Sequence, residues 1–439
     1  MLRLLALALA CLLAGVPAQA AAPTRAALST LDVIALEIGY TTVLARYYKP
    51  VDPSALYAGA RRGLIAYLKT RGIGQPALPP APARADRYAA ENAIARDVAL
   101  AVNRYGTRVR TGDLIDATIA GELAALHDPY SLLFKPAAYK QFVGFLDGRA
   151  VGGIGAELDV DPQTHAVRIV DVFPGSPAEA AGLLPGDLIV AIDGNPPPAG
   201  APAAVSAALR GAAGSTVRIT PSRNGVAREP LALVRRAIVP PDVTGRAFDG
   251  GIGYVRLRSF GAQSAKQLDA VLTRLRTAGA RAFVLDLRAN GGGYRDDAIA
   301  VASHFVHGTI VTTQERGGAP AVFAAKPTTP LLGAPLAVLV DGDTASAAEI
   351  VAAAVQDAHA GTVIGSKTFG KGLVQETFPL PDGGAIKLTT AQYRTPAGRD
   401  IDRVGITPDI AVTQSSDAHP GEAGHDPQLD RALALLAQP

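Results

Sequence analysis

Between residues 252 and 364 the chain reads as short apolar strands separated by helices. Ile252–Leu257 precedes a helix over Ser264–Arg276, and Phe283–Leu287 precedes a glycine loop and a helix over Asp296–Phe305. Leu336–Val340 precedes a helix that starts at Ser346 and stops at Gly361, after which Thr362–Ile364 is a further strand candidate. Strands that are apolar throughout need cover on both faces, and strand–helix alternation is the signature of parallel strands with crossover helices. This stretch therefore predicts an α/β core with a largely parallel centre, within a multidomain α+β chain.

The rest of the chain has a different character. Residues 26–140 carry Ala- and Leu-rich helical periodicity, broken by a proline-rich linker at Gln75–Pro82. Tyr47–Leu56 with its following helix to Leu68 resembles Tyr105–Leu114 with its following helix to Leu126. The pair reads either as a degenerate duplication of one helical hairpin or as two similar helix pairs. In residues 146–236 glycine and β-branched residues rise, with strand candidates at Ile154–Val160, Val167–Val172, Leu188–Ile192 and Val217–Pro221. Between them Ser176 and Pro177 predict the start of a short helix that stops at Gly182. Leu184-Pro-Gly-Asp187 predicts a tight turn.

The first twenty residues, MLRLLALALACLLAGVPAQA, have the form of a secretory signal peptide with a small-x-small cleavage site at Ala18-Gln19-Ala20. The run is too short for a membrane span. The expectation is an exported protein, periplasmic or extracellular. The only cysteine is Cys11, so the processed chain has neither a thiol nor a disulfide. A lipid-anchored Cys11, giving membrane association, is the alternative. With a net charge of +3 and no long Lys/Arg run, the chain gives no reason to expect a nucleic acid partner.

Chemistry concentrates in Asp343-Thr-Ala-Ser346-Ala-Ala-Glu349 and Lys371-Gly-Leu-Val-Gln375. Ser346 sits at a helix N-terminus, where backbone N–H groups and the helix dipole favour a developing negative charge. The plain alternative is that Ser346 or Thr344 is only a helix cap. A serine nucleophile needs a base, and there is no well-placed histidine. A lysine serves only if its pKa falls by roughly 3 units, about 4 kcal/mol of differential interaction, which apolar burial can supply. Lys371, framed by Gly370 and Gly372, is the candidate; Lys367 looks solvent-facing. If Lys371–Gln375 is extended, Gln375 shares the face of Lys371 and can hydrogen-bond its amine. Glu349, one turn after Ser346, is either a helper or a first-turn charge.

Asp286-Leu-Arg-Ala-Asn290-Gly-Gly-Gly293 follows a buried strand, at the end where open α/β sheets place ligands. The amides of Gly292 and Ala347 are the oxyanion-hole candidates, against the alternative of a plain turn. Gly365–Lys371 imitates a phosphate-binding loop but has Gly372 where the Mg²⁺-binding hydroxyl belongs, so nucleotide binding is rejected. His304, His307 and His359 lack a third ligand for a metal, and no metal or cofactor is expected.

These motifs, in their order, resemble the carboxyl-terminal processing (tail-specific) peptidases of bacteria and plastids. The resemblance runs over roughly residues 105–413. It includes Leu126-His-Asp-Pro-Tyr-Ser131, Gly153-Ile-Gly-Ala156, Gly175–Gly182, the glycine loop, the serine and lysine segments 25 residues apart, Tyr393–Gly398 and Gly405–Asp409. It implies Ser346 as nucleophile, Lys371 as general base, Gln375 as its orienting residue and the Gly292 and Ala347 amides for the oxyanion. It also implies a PDZ domain that binds the C-terminal tail of a protein substrate through Gly153, Ile154, Gly155 and Ala156. Amides in that loop suit a carboxylate, and a strand edge suits an extended peptide. Gly291 and Ala348 depart from the family's usual proline and serine.

The resulting organisation is a signal peptide at 1–20, a helical dimerisation region at 21–140 and a PDZ domain at 146–236. A serine protease core at 237–413 and a C-terminal tail or helix at 414–439 follow. The partners implied are protein or peptide substrates with free C-terminal tails, a second copy of the chain in a homodimer or higher oligomer, and an adaptor protein. Two other readings were weighed: a catalytically silent PDZ scaffold that delivers tails to a partner protease, and a non-proteolytic hydrolase. Arg210 is a candidate for coupling the PDZ domain to the core, or simply a surface arginine.

Overall fold

The computed structural model describes residues 28–438, apart from 83–85, 161–165, 199–201, 328–330, 332 and 416–417. The expected leader with Cys11 lies outside the described residues. Two compact units emerge, one formed by the chain up to Tyr40 with Pro53–Ala125, the other by Thr41–Asp52 with Leu126–Pro439.

The smaller unit is helical. Helices Pro53–Thr70 and Thr111–Ala124 pack with their backbones nearly touching. A Cβ on Gly63 would stand 2.0 Å from the Ala117 carbonyl oxygen, and one on Gly121 2.3 Å from that of Gly59. Only glycine permits this approach. On Arg87–Tyr105, capped by Asp86, the buried Asp97 accepts from Arg61 at 2.6 Å and from the Tyr57 hydroxyl at 2.9 Å. Glu122 is fully buried and, among the described residues, neither of its oxygens has a hydrogen-bond partner. Burial therefore pushes its carboxyl well above the usual range.

The core of the larger unit is built on a six-stranded sheet. Its order is Val243–Phe248, Ile252–Leu257, Ala282–Asp286, Leu336–Val340, Thr362–Gly365 and Ile410–Ala411, parallel from the second strand onward. The period-2 alternation of a strand accounts for two buried faces. Val255, Leu285, Val338 and Val363 meet helices Ser264–Thr277, Arg295–Ala302 and Ala347–Asp357. Tyr254, Val284, Leu339 and Ile364 meet helix Pro427–Leu436 on the other side. The C-terminal segment is thus the cover of the second face. Arg288, at the end of the third strand, ties it down through Asp426 at 2.8 Å.

A second, antiparallel sheet was not read from the sequence. Ala385–Arg394 is its centre, flanked by Leu132–Phe134, Thr309–Glu315 and Leu373–Pro379. The expectation that residues 26–140 are helical throughout is therefore corrected: Leu132–Phe134 is a strand of this sheet. Pro129 and the positive φ of His127 (51°) end the helical periodicity just before it.

Residues 151–238 form an antiparallel sheet domain with strands Ala156–Val160, Val167–Val172, Leu188–Ile192, Thr216–Arg223, Val226–Ala227 and Leu231–Val234. The short helix Pro177–Ala180 opens on Ser176, whose hydroxyl accepts from Glu179 N–H at 3.1 Å, and Gly182 follows with φ +72°. The predicted strand Ile154–Val160 is shorter, starting at Ala156. Gly155 has φ +78° and lies so close to Ser176 that a Cβ would stand 2.3 Å from the serine Cβ. That kink ends the extended run.

Candidate active site

Strand Leu336–Val340 delivers the chain to a turn held from both sides. The Asp341 carboxylate accepts the N–H groups of Asp343 (3.0 Å), Thr344 (2.9 Å) and Ala289 (3.0 Å). Ala345 N–H donates to Asn290 O at 2.9 Å, and the Thr344 hydroxyl to Leu287 O at 2.9 Å. The serine turn and the glycine loop are thereby one structure. Ser346 follows with φ +57° and ψ −116°, not the extended backbone of an ordinary N-cap. A side chain held there stores about 1–3 kcal/mol of strain, which the surrounding bonds maintain. The helix Ala347–Asp357 is Ala-rich and buried from Ala347 to Val355.

Glu349 organises the site. It is fully buried, and one of its oxygens, Oε2, accepts the backbone N–H of Ser346 at 2.9 Å and that of Lys371 at 2.8 Å. The other, Oε1, accepts Gly370 N–H at 2.8 Å and the Thr368 hydroxyl at 2.5 Å. A buried carboxylate is tolerable when its acceptor sites are filled in this way. Tyr393, fully buried on the second sheet, closes the opposite side, its hydroxyl lying 2.6 Å from Lys371 O and 3.1 Å from Ser346 O. The backbones of serine and lysine are clasped between one carboxylate oxygen and one phenol. The same bonds occupy the amides of Gly370 and Lys371, so this loop has no phosphate cradle to offer.

Lys371 is mostly buried and its ammonium nitrogen stands 5.1 Å from the centre of the Tyr130 ring. Burial, then the nearby Lys387, bring its pKa down to about 8, against the opposing pull of Glu349 and Asp128. Lys367 is exposed. Ser346, Lys371, Gln375, Gly292 and Ala347 line one cavity of about 500 Å³, walled by Phe142 and Leu146 of helix Pro136–Leu146.

Two expected contacts are not made in this arrangement. Gln375 was expected to bond Lys371 across an extended strand. The strand starts only at Leu373, with a bulge between Val374 and Gln375, and the Gln375 amide nitrogen lies 3.4 Å from Thr389 Oγ1. Thr389 in turn donates to Asp128 at 2.6 Å. Gly292 does lie against Ser346: with φ +100°, a Cβ there would stand 2.9 Å from Ser346 Cβ and 3.0 Å from Ala347 N. Its own N–H, however, donates to Asn290 Oδ1 at 2.9 Å and is not open to an oxyanion in this arrangement. Ala347 N–H, first in its helix, has no intrahelical acceptor.

In the sequence Glu349 stands between two roles, and Asp128, Tyr130, Lys387, Thr389 and Tyr393 carry no assignment. Asp128, Tyr130 and Tyr393 were visible only as parts of the Leu126–Ser131 and Tyr393–Gly398 segments.

In the smaller sheet domain, Gly153, Ile154, Gly155 and Ala156 line a groove of about 410 Å³ with Phe173 and Leu209. Arg210 and Arg258 also border it. Arg258 comes from the core and holds Glu157 at 2.7 Å and Asp171 at 3.1 Å.

Residues 251–412 match the model of peptidase family S41, and residues 168–220 match that of the PDZ domain. A carboxyl-terminal-processing protease of Picosynechococcus is 37% identical over 336 residues, 75% of this chain and 81% of the relative. The carboxy-terminal processing protease CtpB of Bacillus subtilis is 33% identical over 372 residues, 82% of this chain and 76% of the relative. Among solved structures, a photosystem II D1 C-terminal processing protease matches with 26% identity and a TM-score of 0.50, covering 93% of this chain and 98% of that one. With a PDZ domain ahead of an S41 core that clasps a serine and a lysine on one buried carboxylate, the chain belongs to the carboxyl-terminal processing proteases and is a serine-type peptidase.

Proposed function

We propose that this protein is an exported endopeptidase that binds the C-terminal tail of a protein substrate in its PDZ groove and cleaves with Ser346 and Lys371. The observation that carries the dyad is the Glu349 clasp, which sets the nucleophile and a mostly buried lysine on the same oxygen atom. Lys371 in its neutral form takes the Ser346 hydroxyl proton as Oγ bonds to the peptide carbonyl carbon. The resulting ammonium returns that proton to the leaving amine as the C–N bond breaks, leaving an ester on Ser346. Water, deprotonated by the same amine, then hydrolyses the ester. Ala347 N–H faces the developing oxyanion. The Gly292 amide joins it only when Asn290 lets go, so substrate binding is coupled to a small shift of the glycine loop.

Gln375, with its amide nitrogen on Thr389, keeps its carbonyl oxygen for the Lys371 ammonium and orients it. The groove at Gly153–Ala156 offers apolar cover for a terminal side chain and backbone pairing for the tail. Export rests on Met1–Ala20; among the described residues no helix is long and apolar enough to cross a membrane. Homodimerisation through the helical region, or a larger oligomer, and delivery by an adaptor are part of the same proposal.

The test is degradation of an unfolded protein, with its tail intact or removed, by wild type and by Ser346→Ala, Lys371→Ala and Lys371→Arg. Arginine cannot lose its proton at working pH. Loss of cleavage in all three variants is expected, with slower wild-type cleavage of the tailless substrate. Near-normal turnover by Lys371→Arg sinks the base assignment, and equal cleavage of both substrates sinks tail recognition.

A further inference from the structure

Two lysines, not one, enter the catalytic cavity. Lys387 lies on strand Ala385–Arg394, paired with Thr377 on one side and Leu132 on the other, and lines the same cavity as Lys371. Its ammonium nitrogen stands 5.3 Å from the Phe142 ring centre, as that of Lys371 stands 5.1 Å from Tyr130. Neither amine makes an ion pair among the described residues.

The carboxylates around them are engaged elsewhere. Glu349 accepts four protein donors, and Asp128 Oδ2 accepts the hydroxyls of Ser131 and Thr389, each at 2.6 Å. Other titratable or charged groups face the pair from every side. Tyr393 lies on the strand of Lys387, Tyr139 on the aromatic helix, and Tyr294 and Arg295 on the glycine-loop side. Asp402 and Arg403 are close enough to Tyr130 for their charges to act on it. Two cations sharing a partly dry cavity, each on an aromatic ring rather than a carboxylate, repel one another, and the amine that must act as a base gains from that repulsion.

We propose that Lys387 is a positioning residue whose charge, acting across the shared cavity, holds Lys371 in the unprotonated form that can take the Ser346 proton. This rests on the reading of Lys371 as base. Consistent with it, Lys387 is, after burial, what lowers the Lys371 pKa, against the opposing pull of Glu349 and Asp128.

The test compares Lys387→Met, which keeps length and apolar contact with Phe142, and Lys387→Arg, which keeps the charge. Two readouts are used on the full chain. The first is competitive acetylation of the Lys371 amine against pH, followed by mass spectrometry in the Ser346→Ala background, which needs no turnover. The second is the acid limb of kcat/KM, which reports the free enzyme.

Lys387→Met is expected to raise the Lys371 labelling midpoint by about one pH unit and to move the acid limb with it. Turnover then falls about tenfold at pH 7 and recovers above pH 10. Lys387→Arg stays near wild type. An unmoved labelling midpoint in Lys387→Met overturns the proposal, as does an equal shift in Lys387→Arg, which would make the role one of packing. A midpoint that moves while the acid limb stays upholds the charge effect and removes Lys371 as base.

Discussion

Removing the Glu349 clasp should disable the enzyme in a way that depends on which oxygens are lost. In Glu349→Gln one oxygen becomes an NH₂ group. If that group sits at the Oε2 position it faces the N–H groups of Ser346 and Lys371, and both bonds fail. At the Oε1 position it faces Gly370 N–H and the Thr368 hydroxyl. That hydroxyl can turn and accept, although it already accepts Ile406 N–H at 2.7 Å. The second orientation loses a single backbone bond, so glutamine should adopt it and keep the Ser346–Lys371 tie.

Leaving one buried donor unpaired costs about 1–3 kcal/mol. At about 2–4 °C per kcal/mol for a large domain, the melting temperature should fall by roughly 2–12 °C. Glu349→Ala loses all four bonds and opens a cavity, a loss of more than about 4 kcal/mol. With both backbones released, a displacement of about 1 Å between serine and lysine suffices for a ~100-fold loss of rate. Thermal melts, kcat/KM on a quenched peptide, and fluorophosphonate labelling of Ser346 separate stability from reactivity. Glu349→Gln should label within a few-fold of wild type, and Glu349→Ala, where folded, at least ~100-fold more slowly. A folded Glu349→Ala that labels at the wild-type rate would refute the clasp.

The pKa of about 8 for Lys371 sets the sign of the pH dependence. Only the neutral amine accepts a proton, so kcat/KM should rise about tenfold per pH unit below that value and level off above it; a flat profile from pH 6 to 9 contradicts a lysine base. In the helical unit, burial raises the Glu122 carboxyl well above its unfolded value and so favours its protonated form. Stability is then fullest below the unfolded carboxylate pKa and falls as pH rises toward the folded one. Glu122→Gln cannot ionise, so its melting temperature should gain on wild type as pH rises from 5 to 8; a difference that stays the same at both values would show that Glu122 has a partner in solution.

What the chain discloses by itself is local and periodic. Ile252–Leu257, Leu336–Val340, Val167–Val172 and Leu188–Ile192 appear as strands with the bounds their apolar runs suggest, because nearest-neighbour preferences and alternation set them. The Ser346 and Lys371 segments stand out because glycine, small residues and a helix start are legible one residue at a time. The sequence also shows a PDZ module ahead of the core.

The tertiary structure alone decided which side chains meet. Asp128 reaches Thr389 across 261 residues, and Tyr393 reaches Ser346 across 47. No local pattern encodes such pairs, which depend on how two sheets pack. The same holds for Gln375, whose amide nitrogen lies on Thr389, and for the Gly292 amide, taken by Asn290 two residues away. In the sequence Ser346 reads as a nucleophile at a helix start or as a plain helix cap. Its left-handed backbone, imposed by the turn and glycine loop it is tied to, and the carboxylate it shares with Lys371 are properties of packing, because the residues that enforce them come from separate strands and loops.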